Sequence, residues 1–234
     1  MACNMKKIIT LGLAIVLAIA TSAQKNVTQF LGIPVDGSKT AMIKKLKDKG
    51  YTYNATLDCM EGEFNGREVT LHIVTNNNKV WRIMVSDAYP TRNEADIRIQ
   101  FNRLCKQFSQ NSKYLPINMT GGYEISESED ISTQMSVYNK RYEAAYYQVT
   151  KEDQDTTGVQ EWLFNKIATE YGGEKWESMS EKERETAGIS MALEYMLSKI
   201  EKKSVWFTIA EQYGRYSINI YYDNEYNHSN GEDL

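Results

Sequence analysis

Proline is nearly absent: Pro34, Pro90 and Pro116 are the only three in 234 residues, so no stretch can act as a stiff proline-rich spacer. Histidine is scarcer, with His72 and His228 alone. No HExxH and no cluster of cysteine and histidine at zinc spacing occurs, so neither a metal site nor any other cofactor is expected. GxSxG and SxxK are missing as well, which leaves a serine nucleophile without a motif. "DGSKT" at residues 36–40 lacks the GxxxxGK[ST] spacing of a phosphate loop and reads as a helix start. Basic excess is also lacking, since 27 Lys and Arg face 31 Asp and Glu. That balance repels phosphate backbones and excludes nucleic acid as a partner.

A long apolar run occurs only near the beginning. Lys6 and Lys7 precede the stretch Ile8 to Ala20, and the small residues Thr21, Ser22 and Ala23 follow, which is the order of a secretory signal. A helix crossing the hydrocarbon core needs about 20 residues, so this run is too short to serve as a stable anchor. Thr21 and Ala23 have the small side chains that signal peptidase requires, which places cleavage before Gln24. Cys3 lies upstream of the charged residues and not at that junction, so no lipid anchor is expected. The expectation is a periplasmic or secreted protein whose mature part has 25 basic and 31 acidic residues. Residues 1–23 are then the signal, and 24–117 and 118–234 form two halves that meet at "NMTGGYEISESED". These halves make either two units or one continuous domain.

Beyond the signal, hydrophobic period gives the elements. "DGSKTAMIKKLKDKG" predicts a helix capped by Ser38 or Thr40, with Met42, Ile43 and Leu46 inward and Gly50 as its stop. "EFNGREVTLHIVT" and "KVWRIMVSD" alternate with period two, so a three-stranded meander is predicted from about Leu57 to Asp87. Asn65-Gly66 forms its first turn. A second loop over residues 76–78 would pair Ile73 with Trp81, Leu71 with Ile83 and Val69 with Val85. Ile97, Phe101, Leu104 and Phe108 then mark an amphipathic helix that covers the sheet. "ISTQMSVYNKRYEAAYYQV" predicts a hairpin turning at Asn139-Lys140. Two helices follow, with capping boxes at Thr157/Gln160 and Ser180/Glu183, and with inward stripes Val159, Trp162, Leu163, Ile167 and Ile189, Leu193, Met196, Ile200. A last hairpin turns near Gly214. Antiparallel hairpins with helices packed on one face give an α+β fold, built from two halves of similar content.

Few residues carry chemistry. Cys59 and Cys105 are the thiols of the mature chain, and one residue of register decides whether they can meet. A two-residue Asn65-Gly66 turn puts Cys59 beside His72, on the sheet face away from the helix that bears Cys105. A three-residue turn reverses the face and allows a disulfide. Two buried thiols are the default. "DQDTTG" at 153–158 imitates half of a calcium loop, but its twelfth position would be Phe164 in place of a bidentate glutamate. Within it, Asp155-Thr156-Thr157 matches the short acceptor motif for protein O-glycosylation in Bacteroides-type bacteria. Aromatics are the one abundance, with 16 tyrosines and four tryptophans. Strand propensity accounts for most of them. The exception considered is a surface patch of Tyr138, Trp206 and Tyr221, which would offer a platform for sugar rings or a protein.

"FLGIPVDGSKTAMIKKLKDKG", "EGEFNGREVTLHIVTNNNKVWRI" and "YYDNEYNHSNGEDL" resemble exported proteins of Bacteroides-group bacteria to which no activity is assigned. The resemblance implies a Gram-negative envelope and no catalytic residues. The helix-plus-meander order is also similar to the β-lactamase inhibitor protein and the small outer-membrane assembly lipoproteins, which bind without catalysing, although no residue carries over. The expectation is a non-catalytic exported module for a protein or glycan. An envelope hydrolase with an unidentified carboxylate pair is the alternative.

Overall fold

The computed structural model describes residues 26–118 and 121–228. The expected signal sequence with its expected cleavage before Gln24, and Cys3, lie outside the described residues, as does part of the 118–130 joint. A short hairpin, β1 (Gln29–Phe30) and β2 (Ile33–Pro34), leads into helix α1 (Lys39–Lys47). Strands β3 (Thr52–Asn54), β4 (Cys59–Phe64), β5 (Arg67–Asn76) and β6 (Lys79–Asp87) follow. Helix α2 (Glu94–Ser109), β7 (Tyr114–Pro116), α3 (Ile131–Ser136) and β8 (Glu143–Gln148) come next. An excursion of α4 (Val159–Glu170), α5 (Gly173–Ser178) and α6 (Glu181–Ile200) precedes β9 (Lys203–Gln212) and β10 (Arg215–Asn224). Among the described residues no helix is long and apolar enough to cross a membrane.

Eight strands form one antiparallel sheet in the order β3-β4-β5-β6-β10-β9-β8-β7, so the fold is α+β. The pairing of β6 with β10 joins the two halves of the chain within that sheet. Helices α1 and α2 cover one face. Ser38 caps α1 by accepting from the Ala41 amide, and Met42 and Leu46 are buried. Asn93 caps α2, which buries Ile97, Phe101, Leu104 and Phe108, the four residues its spacing predicts. They meet the inward positions of the strands: Val69, Leu71 and Ile73, then Ile83 and Val85, then Tyr216, Ile218, Ile220 and Tyr222. Asn65 and Gly66 both have positive φ, 53° and 75°, as a two-residue turn between right-twisted strands requires.

Several expectations give way. The β5–β6 turn uses only Asn77 and Asn78, both left-handed, so Ile73 faces Ile83, Leu71 faces Val85 and Val69 faces Asp87. That shift of two residues keeps Val69, Leu71, Ile73, Ile83 and Val85 on their expected face, but a bulge after Val74 takes up the extra residue, Trp81, which leaves the inward set while Val80 is buried in its place. Residues 131–136 are helical and not half of a hairpin, because the Asp130 carboxylate accepts from the Thr133 amide and starts α3. Thr157 does not cap α4: its amide and hydroxyl donate to Asp155, and Gly158 opens the helix. The capping box at Ser180 and Glu183 is present. On α6 the buried side chains are Ala187, Met191 and Ile200, while Ile189, Leu193 and Met196 are 57, 50 and 55% exposed.

Candidate functional site

On each strand, every second residue points away from α1 and α2, and the register lines these residues up in rows across the sheet. One row runs from His72 through Met84, Tyr221 and Trp206 to Ala145. A neighbouring row reads Glu61, Thr70, Ser86, Asn219, Thr208 and Glu143. The row on the other side holds Val74, Arg82, Asp223, Ser204 and Tyr147. These side chains are half-buried except for the exposed Glu61 and Glu143 and the buried Asp223, and none of α4, α5 or α6 packs extensively on them. The face is therefore an open, pleated surface with an aromatic centre and polar flanks.

Trp206 and Tyr221 are direct cross-strand partners, and their rings stack with centres 4.0 Å apart and planes 16° from parallel. Such a pair contributes about 0.5–1.5 kcal/mol beyond its area burial. On the Tyr221 side lies the Arg82 guanidinium, 4.8 Å from that ring centre and 4.2 Å from the Trp81 ring. His228 also meets Trp81 edge-on, with ring centres 4.4 Å apart. The bulge in β6 is what frees Trp81 from the core to take this place. Asp223 ties the stack together, accepting from Arg82 Nε and Nη2 at 2.6 and 2.7 Å and from Trp206 Nε1 at 2.9 Å. Its side chain is 2% exposed, and a carboxylate so buried persists because three charge-assisted or strong donors replace its water. Ser86 Oγ donates to Asn219 Oδ1 at 2.7 Å in the polar row.

Of the three aromatics named from the sequence, the fold brings Trp206 and Tyr221 into contact. Tyr138 stands apart, 67% exposed on the loop between α3 and β8, with no ring contact to that pair. Arg82, Asp223 and Trp81 escaped the sequence reading. Alternation alone places Arg82 and Asp223 outward, but their meeting depends on β6 pairing with β10, which are separated by 141 residues at this contact. Other tyrosines, Tyr51, Tyr142, Tyr146, Tyr216 and Tyr222, are core residues.

Cys59 and Cys105 are free and buried. Phe64 opposite Arg67 and Met60 opposite Leu71 are the register of the two-residue turn, so Cys59 lies on the open side of the sheet and Cys105 in the core below α2. Burial pushes both thiols up, Cys105 to about 12, which removes their nucleophilic form at neutral pH. The acidic residues of "DQDTTG" are occupied by protein donors. Asp153 accepts from Asn26, Thr150 and the buried Lys203, and Asp155 accepts from Thr157. Among the described residues no group of three His, Cys, Asp or Glu side chains is placed to hold a metal ion. The open face offers ring surface, hydroxyls and amides, with His72, Arg82, Glu61 and Glu143 in the same rows. Comparison with known proteins found no matching family model, no similar curated protein and no similar solved structure.

Proposed function

We propose that the chain is an exported, non-catalytic binding module that takes a neutral glycan on the open face of its sheet. The observation that carries this reading is the Trp206–Tyr221 stack. It is held ready by Arg82 and Asp223, so little conformational freedom remains to be lost when a ligand docks. Ala145 stands opposite Trp206 on β8, and its single methyl leaves the far side of the indole free of a neighbouring ring. A pyranose ring can lie there, and Thr208, Asn219, Ser86 and Thr70 lie alongside to exchange hydrogen bonds with its hydroxyls. Glu61, Glu63 and Glu68 on the same face disfavour polyanions, which is why the glycan is neutral.

Export is supported by the order of charged, apolar and small residues over 6–23. A hydrolase would need a pair of carboxylates brought together. The buried Asp87, Asp153 and Asp223 are instead each paired with a different basic residue, Arg67, Lys203 and Arg82. Affinity electrophoresis of the mature chain through gels containing neutral polysaccharides tests the reading. Retardation by at least one of them, lost in Trp206→Ala and kept in Tyr138→Ala, is the expected result. Migration unaffected by every polysaccharide, alongside capture of a protein by the same face, would transfer the site to a protein partner.

A further inference from the structure

The aromatic row of the open face continues past β8 to the edge of the sheet. Pro116 stands opposite Tyr146, so Ile117 comes opposite Ala145, and the Ile117 amide donates to the Ala145 carbonyl at 2.9 Å. Tyr114 packs on Phe108 on the helix side, and alternation from it turns Leu115 and Ile117 to the open side. Leu115 is half-buried and Ile117 is 41% exposed. The open face is thus unequal from end to end, with Glu61 and Glu63 on β4 and two aliphatic side chains at the β7 edge.

Between Trp206 and Ile117 lies a slot with the Ala145 methyl as its floor. The indole is the first wall: Tyr221 covers one face of that ring at 4.0 Å, and the other is turned toward β8. Its N–H is spent on Asp223, so the wall it presents is hydrocarbon. Ile117 is the second wall, two strand spacings or about 10 Å away. Carbon atoms in contact sit about 4 Å apart, so one sugar ring standing parallel to the indole fills the slot and a second does not fit. The far wall is fixed, because the Tyr123 hydroxyl also donates to the Ala145 carbonyl at 2.9 Å and accepts from the Asn118 amide at 2.9 Å. Polar groups lie at the two mouths, with Glu143 and Thr208 at one and Tyr147 and Ser204 at the other. Glu143 is paired there with Arg141 at 2.5 Å.

We propose that this slot selects a 6-deoxyhexose, an inference that rests on the glycan reading of the open face. A pyranose ring upright against the indole has one edge on the floor, two sides at the mouths and one edge in solvent. Hydroxyls at the mouths and in solvent find partners, whereas the floor offers only the methyls of Ala145 and Ile117. A hexose that lowers its C5 hydroxymethyl there loses water from that hydroxyl and gains no acceptor or donor. Methyl at the same position gains apolar contact, and the sugar stays neutral as the glutamates of the face require.

Calorimetric titration of the mature chain with methyl glycosides in matched pairs tests the inference: L-fucose with L-galactose, L-rhamnose with L-mannose, and 6-deoxy-D-glucose with D-glucose. The members of each pair differ only in the C6 oxygen. Saturable binding of at least one 6-deoxy member is expected, with its hexose partner weaker by about tenfold. Ala145→Ser, which puts a hydroxyl on the floor, brings that pair to within about threefold, Ile117→Ala weakens the 6-deoxy sugar about fivefold, and Ala145→Leu abolishes binding, each variant being checked for folding by a thermal melt. Equal binding within every pair, a preference unchanged in Ala145→Ser, or undiminished binding in Ile117→Ala overturns the inference and leaves the glycan reading in place while retardation in polysaccharide gels persists. Binding by none of the six also overturns it, and loss of gel retardation as well removes the glycan reading with it.

Discussion

The two faces of the sheet are made by the same strands, with the same alternation, and come to order by different means. On β10 the inward Tyr216, Ile218, Ile220 and Tyr222 are all at most 5% exposed, while Ser217, Asn219 and Tyr221 between them are half-buried. Inward, helices α1 and α2 exclude water, and close packing fixes each side chain. Outward, among the described residues, no helix packs extensively on the strands, and the aromatic residues keep a fixed arrangement because Asp223 collects Arg82 and Trp206. One face is held by burial and the other by a buried carboxylate with its donors. Stability should therefore reside on one side and recognition on the other.

The largest expected effect comes from emptying the covered face. Phe101 is fully buried, with its ring 5.1 Å from that of Phe207, and Phe101→Ala should cost about 3–5 kcal/mol in denaturant unfolding. Next is the tie on the open face. Asp223→Ala leaves the Arg82 guanidinium and the Trp206 indole without their partner, for a loss of about 2–3 kcal/mol. Trp206→Ala removes a half-buried ring, one stack and one donor to Asp223, and should cost about 2 kcal/mol while abolishing retardation by glycan. If Trp206→Ala proves as damaging as Phe101→Ala, the contrast between the faces is broken.

Alkaline pH sharpens the same contrast from the covered side. Burial is the leading cause that raises the hydroxyl pKa values of Tyr142, Tyr146 and Tyr222. Because the unfolded chain ionises tyrosine near pH 10, it binds fewer protons than the folded chain above that point. The stability these groups contribute is complete below about pH 10 and declines as pH rises beyond it. Tyrosinate absorbance from the covered face should then appear together with loss of secondary structure and not before it.

The sequence disclosed most of the covered face, because alternation and the 3.6-residue period are local signals of burial. Met42, Leu46, Phe101 and Leu104 face inward as their spacing indicates. Register was harder: an Asn77-Asn78 turn with a bulge and a three-residue loop both keep Leu71 and Ile83 on one face, so hydrophobic pattern cannot choose between them. The site on the open face was half legible. Trp206 and Tyr221 stand out as aromatics at outward or neighbouring positions of one hairpin. Arg82 and Asp223 become partners only through the non-local β6–β10 pairing, for which a single sequence has no signal.

Helix α6 is where periodicity misled, and it sets the smallest expected effect. Its sequence is apolar on two faces. Ala187 and Met191 form the buried one, and nearby Tyr195 meets Trp162 of α4 with ring centres 5.2 Å apart. Ile189, Leu193 and Met196 recur at helical spacing on the opposite side, which is why either stripe could have been the inward one. A salt bridge from Lys166 to Glu194 at 2.6 Å adds to the α4 contact on the side away from Leu193. Met191→Ala should therefore cost about 2 kcal/mol, the low end for a buried methionine. Leu193→Glu, at a half-exposed position of the same helix, should change stability by no more than about 0.5 kcal/mol. The pair is read by denaturant midpoints at equal slope. A Leu193→Glu penalty equal to that of Met191→Ala would mean that the second stripe is covered in solution, and that the helical excursion, like the sheet, has two faces held by burial in unequal measure.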